Sequence, residues 1–255
     1  MKVRSSSTRL LQSAPRILAT VVLLALCAPA ASAAQDQAKA AATAAPAAAP
    51  AYRAGGVPLL LPSPTQELVE VGNDNRAIME VFAPEQNRLL AAYVLTDDAP
   101  RLRAGGQNML SKYALVEVPR NAEFTDVTAQ NFKDLTAGMD QQFGAALDSS
   151  VKEGEDTINR RLKALNLDDA NVALDKPAQL GAFFSKQDAY GLGLILPVTS
   201  KGTTIKMVAG VVILRAQNRL LYAYLYTVYK DEDTVKWVRK ATGDWAEAIL
   251  AANKP

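Results

Sequence analysis

The chain has 255 residues, of which 49% are hydrophobic and 21% are charged, which is the composition of an ordinary globular protein. It contains no histidine and one cysteine, and this excludes Ser-His-Asp and Cys-His nucleophiles as well as histidine-ligated zinc or haem. The formal net charge is only +2, so the composition offers no electrostatic basis for binding nucleic acid.

The N-terminus has the pattern of a secretory signal peptide. Residues 1–16 carry four basic side chains and no acid, residues 17–28 are apolar, and Ala31-Ser32-Ala33 supplies the small residues that a signal peptidase accepts. We predict a Sec-type signal that is cleaved after Ala33, and a periplasmic or secreted protein. The apolar run is shorter than the roughly 20 residues that span a bilayer, so we expect no stable membrane span after cleavage.

Cys27 is the single cysteine of the chain. It follows Leu24-Ala25-Leu26, which resembles a bacterial lipoprotein box except that Leu26 stands where such boxes have a small residue. We therefore expect that Cys27 is not lipidated. Cleavage would remove this cysteine and four of the 28 basic residues, leaving 24 basic against 26 acidic residues and no disulfide to hold the fold together.

Residues 34–56 are rich in alanine and contain Pro46, Pro50 and Gly55-Gly56, but they lack large apolar side chains. This composition is typical of a flexible linker. We predict that residues 57–255 form one globular domain after it.

The first part of this domain alternates short strands with a helix. Residues 57–64 are apolar but interrupted by prolines, which predicts an edge strand or an extended lead-in. Strands are predicted at 68–71, 88–96 and 113–119, with a loop at 97–107. A short helix between the first two strands would be capped by Asn73 or Asn75 and would end before Pro84.

A long helical region follows, starting at Thr125 or Thr128 as the N-cap. Apolar residues recur every three or four positions from Phe132 to Leu165, which marks one buried stripe. Gly144, Gly154 and two serines weaken the middle, so we predict a kink or a break near residues 148–150. Strands at 179–185 and 190–199 come next.

The segments 203–214 and 219–229 are the densest in strand-forming residues, and Gln217-Asn218 separates them as a polar turn. If these two residues form the loop, the hairpin register follows. It pairs Leu214 with Leu221, Val212 with Ala223, Gly210 with Leu225, Ile213 with Tyr222, Val211 with Tyr224 and Ala209 with Tyr226. Both faces of this hairpin are apolar, which indicates central strands covered on two sides.

The chain ends in an amphipathic helix that presents Val235, Val238, Trp245 and Ile249 on one side. Acidic residues 231–233 stand at its start, where unpaired backbone N–H groups favour negative charge. Together these elements predict an α+β fold in which a mainly antiparallel sheet is packed by the C-terminal helix and by the long helical segment.

The candidate binding residues are Tyr222, Tyr224 and Tyr226, which form one stripe on the second strand of the hairpin. They could be a ligand platform, or they could be core residues packed under a helix. Ser149 and Lys152 have the S-x-x-K spacing of Ser-Lys hydrolases, but no Ser-Asp-Asn or Lys-Thr-Gly motif accompanies them. We therefore predict no catalytic residues, no cofactor and no metal ligands.

The lead-in at 57–71, the strand opening Asn87-Arg88-Leu89-Leu90 and the closing strand and helix at 219–252 resemble uncharacterised exported proteins of Gram-negative bacteria. The order strand, helix, meander and helix is also similar to the Mog1/PsbP-like α+β sandwich. The resemblance implies an accessory or binding module rather than an enzyme.

The sequence leaves three possible functions. The first is a non-enzymatic periplasmic module that binds an envelope protein, through the tyrosine stripe or through a groove between the sheet and the helices of 128–165. The second is a carrier that holds a small molecule or lipid in an apolar cavity in the same place. The third, a Ser-Lys hydrolase, has the least support.

Overall fold

The computed structural model describes residues 52–103, 110–167 and 171–254, and they build a sheet covered by helices on both faces. The strands are β1 (Tyr52–Ala54), β2 (Val57–Leu59), β3 (Leu68–Glu70), β4 (Asn87–Leu95), β5 (Lys112–Pro119), β6 (Val172–Leu174), β7 (Ala178–Lys186), β8 (Ala189–Ser200), β9 (Thr203–Ala216) and β10 (Arg219–Val228). The helices are α1 (Asn73–Glu80), α2 (Ala99–Arg103), α3 (Ala129–Thr136), α4 (Met139–Ala164) and α5 (Glu232–Ala252).

Eight strands form the main sheet in the order β3-β4-β5-β10-β9-β8-β6, with β7 also paired to β8. Every pairing is antiparallel. The strands β1 and β2 make a separate hairpin. The predicted α+β class is therefore confirmed, with the C-terminal helix and the long helical segment on opposite faces of the sheet.

The hairpin β9–β10 has the predicted register, including all six predicted pairs. Gln217 and Asn218 both adopt positive φ, at 48° and 58°, which is the geometry of a two-residue turn that matches the twist of the strands. The hairpin lies in the middle of the sheet because β5 pairs with β10 and β8 pairs with β9. Its two faces are buried in the two hydrophobic clusters that lie above and below the sheet.

Two hydrophobic clusters lie on the two faces of the sheet. The first joins the sheet to α1, α3 and α4, and its helix-side members are Met79, Phe132, Leu135, Met139, Ile158 and Leu162. The second joins the sheet to α5 and the β1–β2 hairpin, and its members outside the sheet include Ala54, Leu59, Ala241, Trp245, Ala246 and Ile249. The molecule thus has three layers.

A close approach fixes α5 on the sheet. A Cβ atom at Gly210 of β9 would overlap the Thr242 hydroxyl oxygen and lie 2.9 Å from a methyl carbon of Val238. The helix starts at the N-cap Asp231, whose carboxylate accepts a hydrogen bond from the Thr234 N–H at 2.9 Å. This bond lowers the pKa of the Asp231 carboxyl, as expected at a helix N-terminus.

The helical segment breaks earlier than predicted. Thr128, one of the two predicted candidates, is the N-cap of α3. The helix is interrupted at Ala137 and Gly138, and α4 then extends from Met139 to Ala164. The predicted break near residues 148–150 is wrong. Glycines inside a helix cost only about 1 kcal/mol each, and packing compensates for Gly154, which is buried.

Three further expectations need correction. Residues 99–103 form the short helix α2 inside the predicted loop 97–107. The N-cap of α1 is Gly72, so neither Asn73 nor Asn75 caps that helix. Tyr52–Ala54, expected to be linker, forms β1 because the positive φ angles of Gly55 and Gly56 turn the chain back onto β2.

The predicted signal peptide, its cleavage site, Cys27 and residues 34–51 of the linker lie outside the described residues. Within the part of the chain that the structure describes, no helix is both long and apolar enough to cross a membrane.

Candidate functional site

The tyrosine stripe lies inside the molecule. Tyr222, Tyr224 and Tyr226 are 1–3% exposed and belong to the cluster under α1, α3 and α4. The ring of Tyr226 stacks on that of Tyr113 at 4.7 Å and on that of Tyr224 at 6.2 Å. In this conformation the three side chains fill the space between sheet and helices, and a ligand could reach them only if that layer opened.

An open cavity lies instead where the end of α4 meets α1 and the start of β4. Its volume is about 290 Å³, close to the lower end of the range for small-molecule sites. It occupies one end of the groove between the sheet and the 128–165 helical region. The lining residues are Ala77, Glu80, Val81, Ala83, Asn87, Leu89, Arg120, Arg161, Ala164 and Leu165.

Two arginines line this cavity. Arg161, in the last turn of α4, donates from Nη1 to the carbonyl oxygens of Glu80 and Ala83, at the end of α1. Arg120, which follows β5, donates from Nε to the carbonyl oxygen of Asn87 at 3.0 Å. Each guanidinium group is therefore anchored to backbone on one side and has further N–H donors available.

Contacts between residues far apart in the sequence hold the walls of the cavity in place. An ion pair between Arg160 and Glu85, and a 3.1 Å hydrogen bond from the Gln86 side chain to Glu153, tie α4 to the segment that enters β4. On its other side, the Asn159 side chain exchanges two 2.8 Å hydrogen bonds with the backbone of Val172 in β6. The end of α4 is thus fixed over the sheet edge.

A β-bulge in β4 shapes the floor of this region. The register with β5 shifts between Leu89 and Ala91, so that Leu90 and Ala91 both belong to the cluster under α5. Arg76 of α1 donates to the carbonyl oxygens of Leu89 and Leu90, and these bonds satisfy backbone groups at the bulge. The bulge and α1 therefore position each other.

Asn87 connects the cavity to a buried carboxyl group. This asparagine is 3% exposed and lines the cavity, and its Nδ2 donates to Glu117 Oε2 at 2.7 Å. Its Oδ1 is buried and has no hydrogen-bond partner. A buried amide oxygen without a donor is costly, so it marks a place where a bound group could supply one.

Glu117 is the most perturbed carboxyl group of the described residues. It is 1% exposed and stands on β5 directly between Tyr222 of β10 and Leu89 of β4. Burial raises the pKa of Glu117 to about 8, while the hydrogen bond from Asn87 and the charge of Arg161 act in the opposite direction. At neutral pH this carboxyl is therefore mostly protonated and uncharged.

The cavity itself is electropositive. Within the described part of the chain, neither Arg120 nor Arg161 forms an ion pair. The carboxylate among the lining residues, Glu80, is exposed and accepts a 3.2 Å hydrogen bond from Arg76. Two arginines beside one paired carboxylate favour an anionic ligand.

The other candidate chemistries gain little from the structure. Ser149 and Lys152 both lie in α4, where Lys152 is exposed, and the side chain of Ser149 lies outside the described residues. No group of three or more histidine, cysteine, aspartate or glutamate residues is close enough to hold a metal ion in the described ranges.

Sequence reasoning did not identify Glu117, Asn87, Arg120 or Arg161 as site residues. One signal was present for Glu117, which is the single carboxylate in the otherwise apolar strand at 113–119. For the other three no local pattern exists, because they meet only when α4 folds over the start of β4.

Comparison with known proteins gives similarity at the level of solved structures. No protein-family model matches this sequence, and no curated protein matches it. Two matching structures are the Saccharomyces cerevisiae Ran-binding protein Mog1p and a point mutant of the protein Mog1. Each has 11% identity and a TM-score of 0.29 over 78% of this chain and 88% of the other. Such a low score carries no inference about function or partner.

Proposed function

We propose that this protein is an exported, non-enzymatic binding module of the cell envelope whose contact site is the cavity between α1, α4 and the start of β4, hereafter the arginine cavity. One observation carries the proposal: Arg120 and Arg161, which form no ion pair with any residue of the described ranges, line the same opening as Asn87, whose side-chain oxygen is buried and unpaired there. An envelope protein that inserts an acidic group there would pair with the two arginines, and a neighbouring N–H or O–H donor would be needed for Asn87.

The carrier alternative has weaker support. A lipid or apolar carrier needs an enclosed apolar space, whereas the region between the sheet and α3–α4 is filled by the tyrosine stripe and its aliphatic neighbours. The arginine cavity, in contrast, is open and has two arginines, a glutamate and an asparagine among its lining residues. Polar recognition therefore fits the geometry better.

The location in the envelope rests on the sequence pattern of residues 1–33, with its basic, apolar and small-residue parts. The absence of histidine from the whole chain supports a role without catalysis, since most hydrolytic mechanisms need that residue. Both arguments are independent of the cavity.

Blocking the cavity tests the proposal. Ala77 and Ala164 line it and are exposed, so Ala77→Trp or Ala164→Trp should fill part of its volume without disturbing the core. We expect either change to reduce recovery of the partner at least about tenfold when tagged full-length protein is crosslinked in its native cells and captured. Quantitative mass spectrometry measures the recovery.

The matched control is Ala248→Trp, which adds the same side chain to the exposed face of α5 in the opposite layer. It should leave recovery unchanged, and all three variants should unfold at temperatures close to that of the parent. If the cavity variants remain folded and still recover the same partner at the same level, the proposed site is wrong.

A further inference from the structure

We infer that the arginine cavity recognises an oxyanion, a carboxylate or phosphate group of the ligand, and that Arg120 and Arg161 bind it from two sides while Asn87 accepts a hydrogen bond from an adjacent donor on the same ligand. This inference rests on the proposed function, because it names the chemical group that enters the site.

The donor count of the two arginines supports an oxyanion. A guanidinium group carries five N–H donors in a planar fork that matches the geometry of carboxylate and phosphate oxygens. Arg161 uses Nη1 for the carbonyl oxygens of Glu80 and Ala83, and Arg120 uses Nε for that of Asn87. Donors on the remaining nitrogens of both residues are available to a ligand.

The same backbone bonds reduce the cost of binding. A free arginine side chain loses rotational entropy when it grips an anion, but these two are already anchored to carbonyl groups of the cavity wall. The backbone of Arg120 is also fixed, since its N–H donates to the Gln86 carbonyl oxygen at 2.8 Å. The cationic groups are therefore positioned before a ligand arrives.

The carboxyl groups near the two arginines are committed elsewhere. Glu123 interacts with the charge of Arg120, but its ion pair is with Arg88. Glu80 is paired with Arg76 at 3.2 Å, on the side of α1. Glu117 is buried behind Asn87, to which it is hydrogen bonded, and its burial keeps the carboxyl in the uncharged form. In the described residues, none of these three carboxyl groups forms an ion pair with Arg120 or Arg161.

Asn87 adds a second element of recognition. Its Nδ2 is committed to Glu117, so the orientation of the amide is fixed and the buried Oδ1 can only accept. The backbone carbonyl of Asn87 accepts a hydrogen bond from Arg120, and both residues line the cavity. A hydroxyl or N–H next to the oxyanion of the ligand would fill this position.

Three small anions test the inference on the purified full-length protein: inorganic phosphate, acetate and glycolate. Glycolate has the carboxylate of acetate plus one hydroxyl donor. We expect saturable shifts of the backbone amide signals of Ala83, Asn87 and Arg120 in NMR titrations. Glycolate should bind more tightly than acetate, and whichever of phosphate and glycolate binds more tightly identifies the natural group as phosphate or carboxylate.

Arg120→Gln is the decisive variant, because Arg120 is exposed and its loss should not prevent folding. Affinity for the better probe should fall about tenfold, the loss typical of a charge-assisted hydrogen-bonded pair. Arg239→Gln is the control: it removes the same charge from α5, where Arg239 lies over the ring of Phe183, and should change affinity less than about twofold.

Absence of saturable binding by all three anions would overturn the inference, as would equal loss of affinity in both variants. Equal affinity for acetate and glycolate would overturn the role of Asn87. These experiments distinguish a failure of the oxyanion inference from a failure of the proposed function. If the tryptophan variants lose the partner but no anion binds, only the oxyanion is wrong; if anions bind but the partner is retained, the proposed function is wrong.

Discussion

At the scale of single residues, Glu117 determines how the interior responds to pH. Its carboxyl is buried in the sheet beside Tyr222, whose hydroxyl is also buried without a hydrogen-bond partner. Tyr93, on the other face, contrasts with it, because its hydroxyl donates to the Leu61 carbonyl oxygen at 2.6 Å. Tyr222, on the face under α1, α3 and α4, therefore keeps an unpaired hydroxyl, whereas Tyr93 under α5 does not. Unpaired buried polar atoms also occur elsewhere in the described residues, for example in Tyr52 and Asp98.

The raised pKa of Glu117 predicts a stability change with pH. The folded protein holds this proton up to about pH 8, whereas the unfolded chain releases it near pH 4.5, so the folded state binds more protons in between. The stabilisation is complete below pH 4.5 and is lost progressively as pH rises to 8. Glu117→Gln should remove this dependence.

We expect Glu117→Gln to unfold with nearly the parent free energy at pH 5 and to be more stable than the parent by a few kcal/mol at pH 8. Chemical denaturation at both pH values measures this difference. Glu247→Gln, at an exposed position on α5, should show no such trend. A parent and a Glu117→Gln variant with parallel pH profiles would show that the carboxyl is not held protonated.

The sequence could have predicted part of this residue-level picture. A lone glutamate in an otherwise apolar strand suggests a buried acid, but the identity of its partner depends on the register of β4 and β5. Asn87 lies 30 positions away and meets Glu117 only through that register. The sequence predicted that the three tyrosines form a stripe. It could not predict whether they bind a ligand or pack under a helix, because that depends on which element covers this face of the sheet.

At the scale of elements, the position of α5 depends on Gly210. Because a Cβ there would overlap the Thr242 hydroxyl, we expect Gly210→Ala to destabilise the protein by about 1–3 kcal/mol through overpacking. Adding Thr242→Ala should recover part of this loss, since it removes the clashing oxygen. Thermal or urea unfolding of the single and double variants measures the coupling.

Gly243→Ala is the matched control in the same interface. A Cβ at Gly243 would contact Phe184 at an ordinary 3.6 Å, so we expect it to be neutral or to stabilise α5 by up to about 1 kcal/mol. Equal destabilisation by Gly210→Ala and Gly243→Ala, or no recovery in the double variant, would contradict the close approach.

Elements with local signals were predictable and those without were not. The β9–β10 register followed from a two-residue turn and from small residues opposite large ones. The break between α3 and α4 could not be predicted in this way. The apolar spacing of three or four residues continues across Gly138, from Phe132 and Leu135 to Met139. The strand β6 has only three residues, and its pairing with β8 is a tertiary effect.

At the scale of the whole molecule, the arginine cavity arises where α1, α4 and the start of β4 meet. The sheet provides a rigid floor, since its central strands are buried on both faces. The helices of one layer then bring Arg161 within reach of the α1 end. The site forms only where all three elements meet. The sequence therefore indicated the groove as one of two possible binding surfaces, but it did not indicate which charged residues line the cavity.

The central claim is that a partner engages the arginine cavity, and photo-crosslinking in native cells tests it most directly. A photoreactive amino acid would replace Ala164 in the cavity or Ala248 on α5. We predict one specific adduct from position 164, reduced by Arg120→Gln, and none from position 248. The same adducts from both positions, or an adduct from position 248 alone, would contradict the claim.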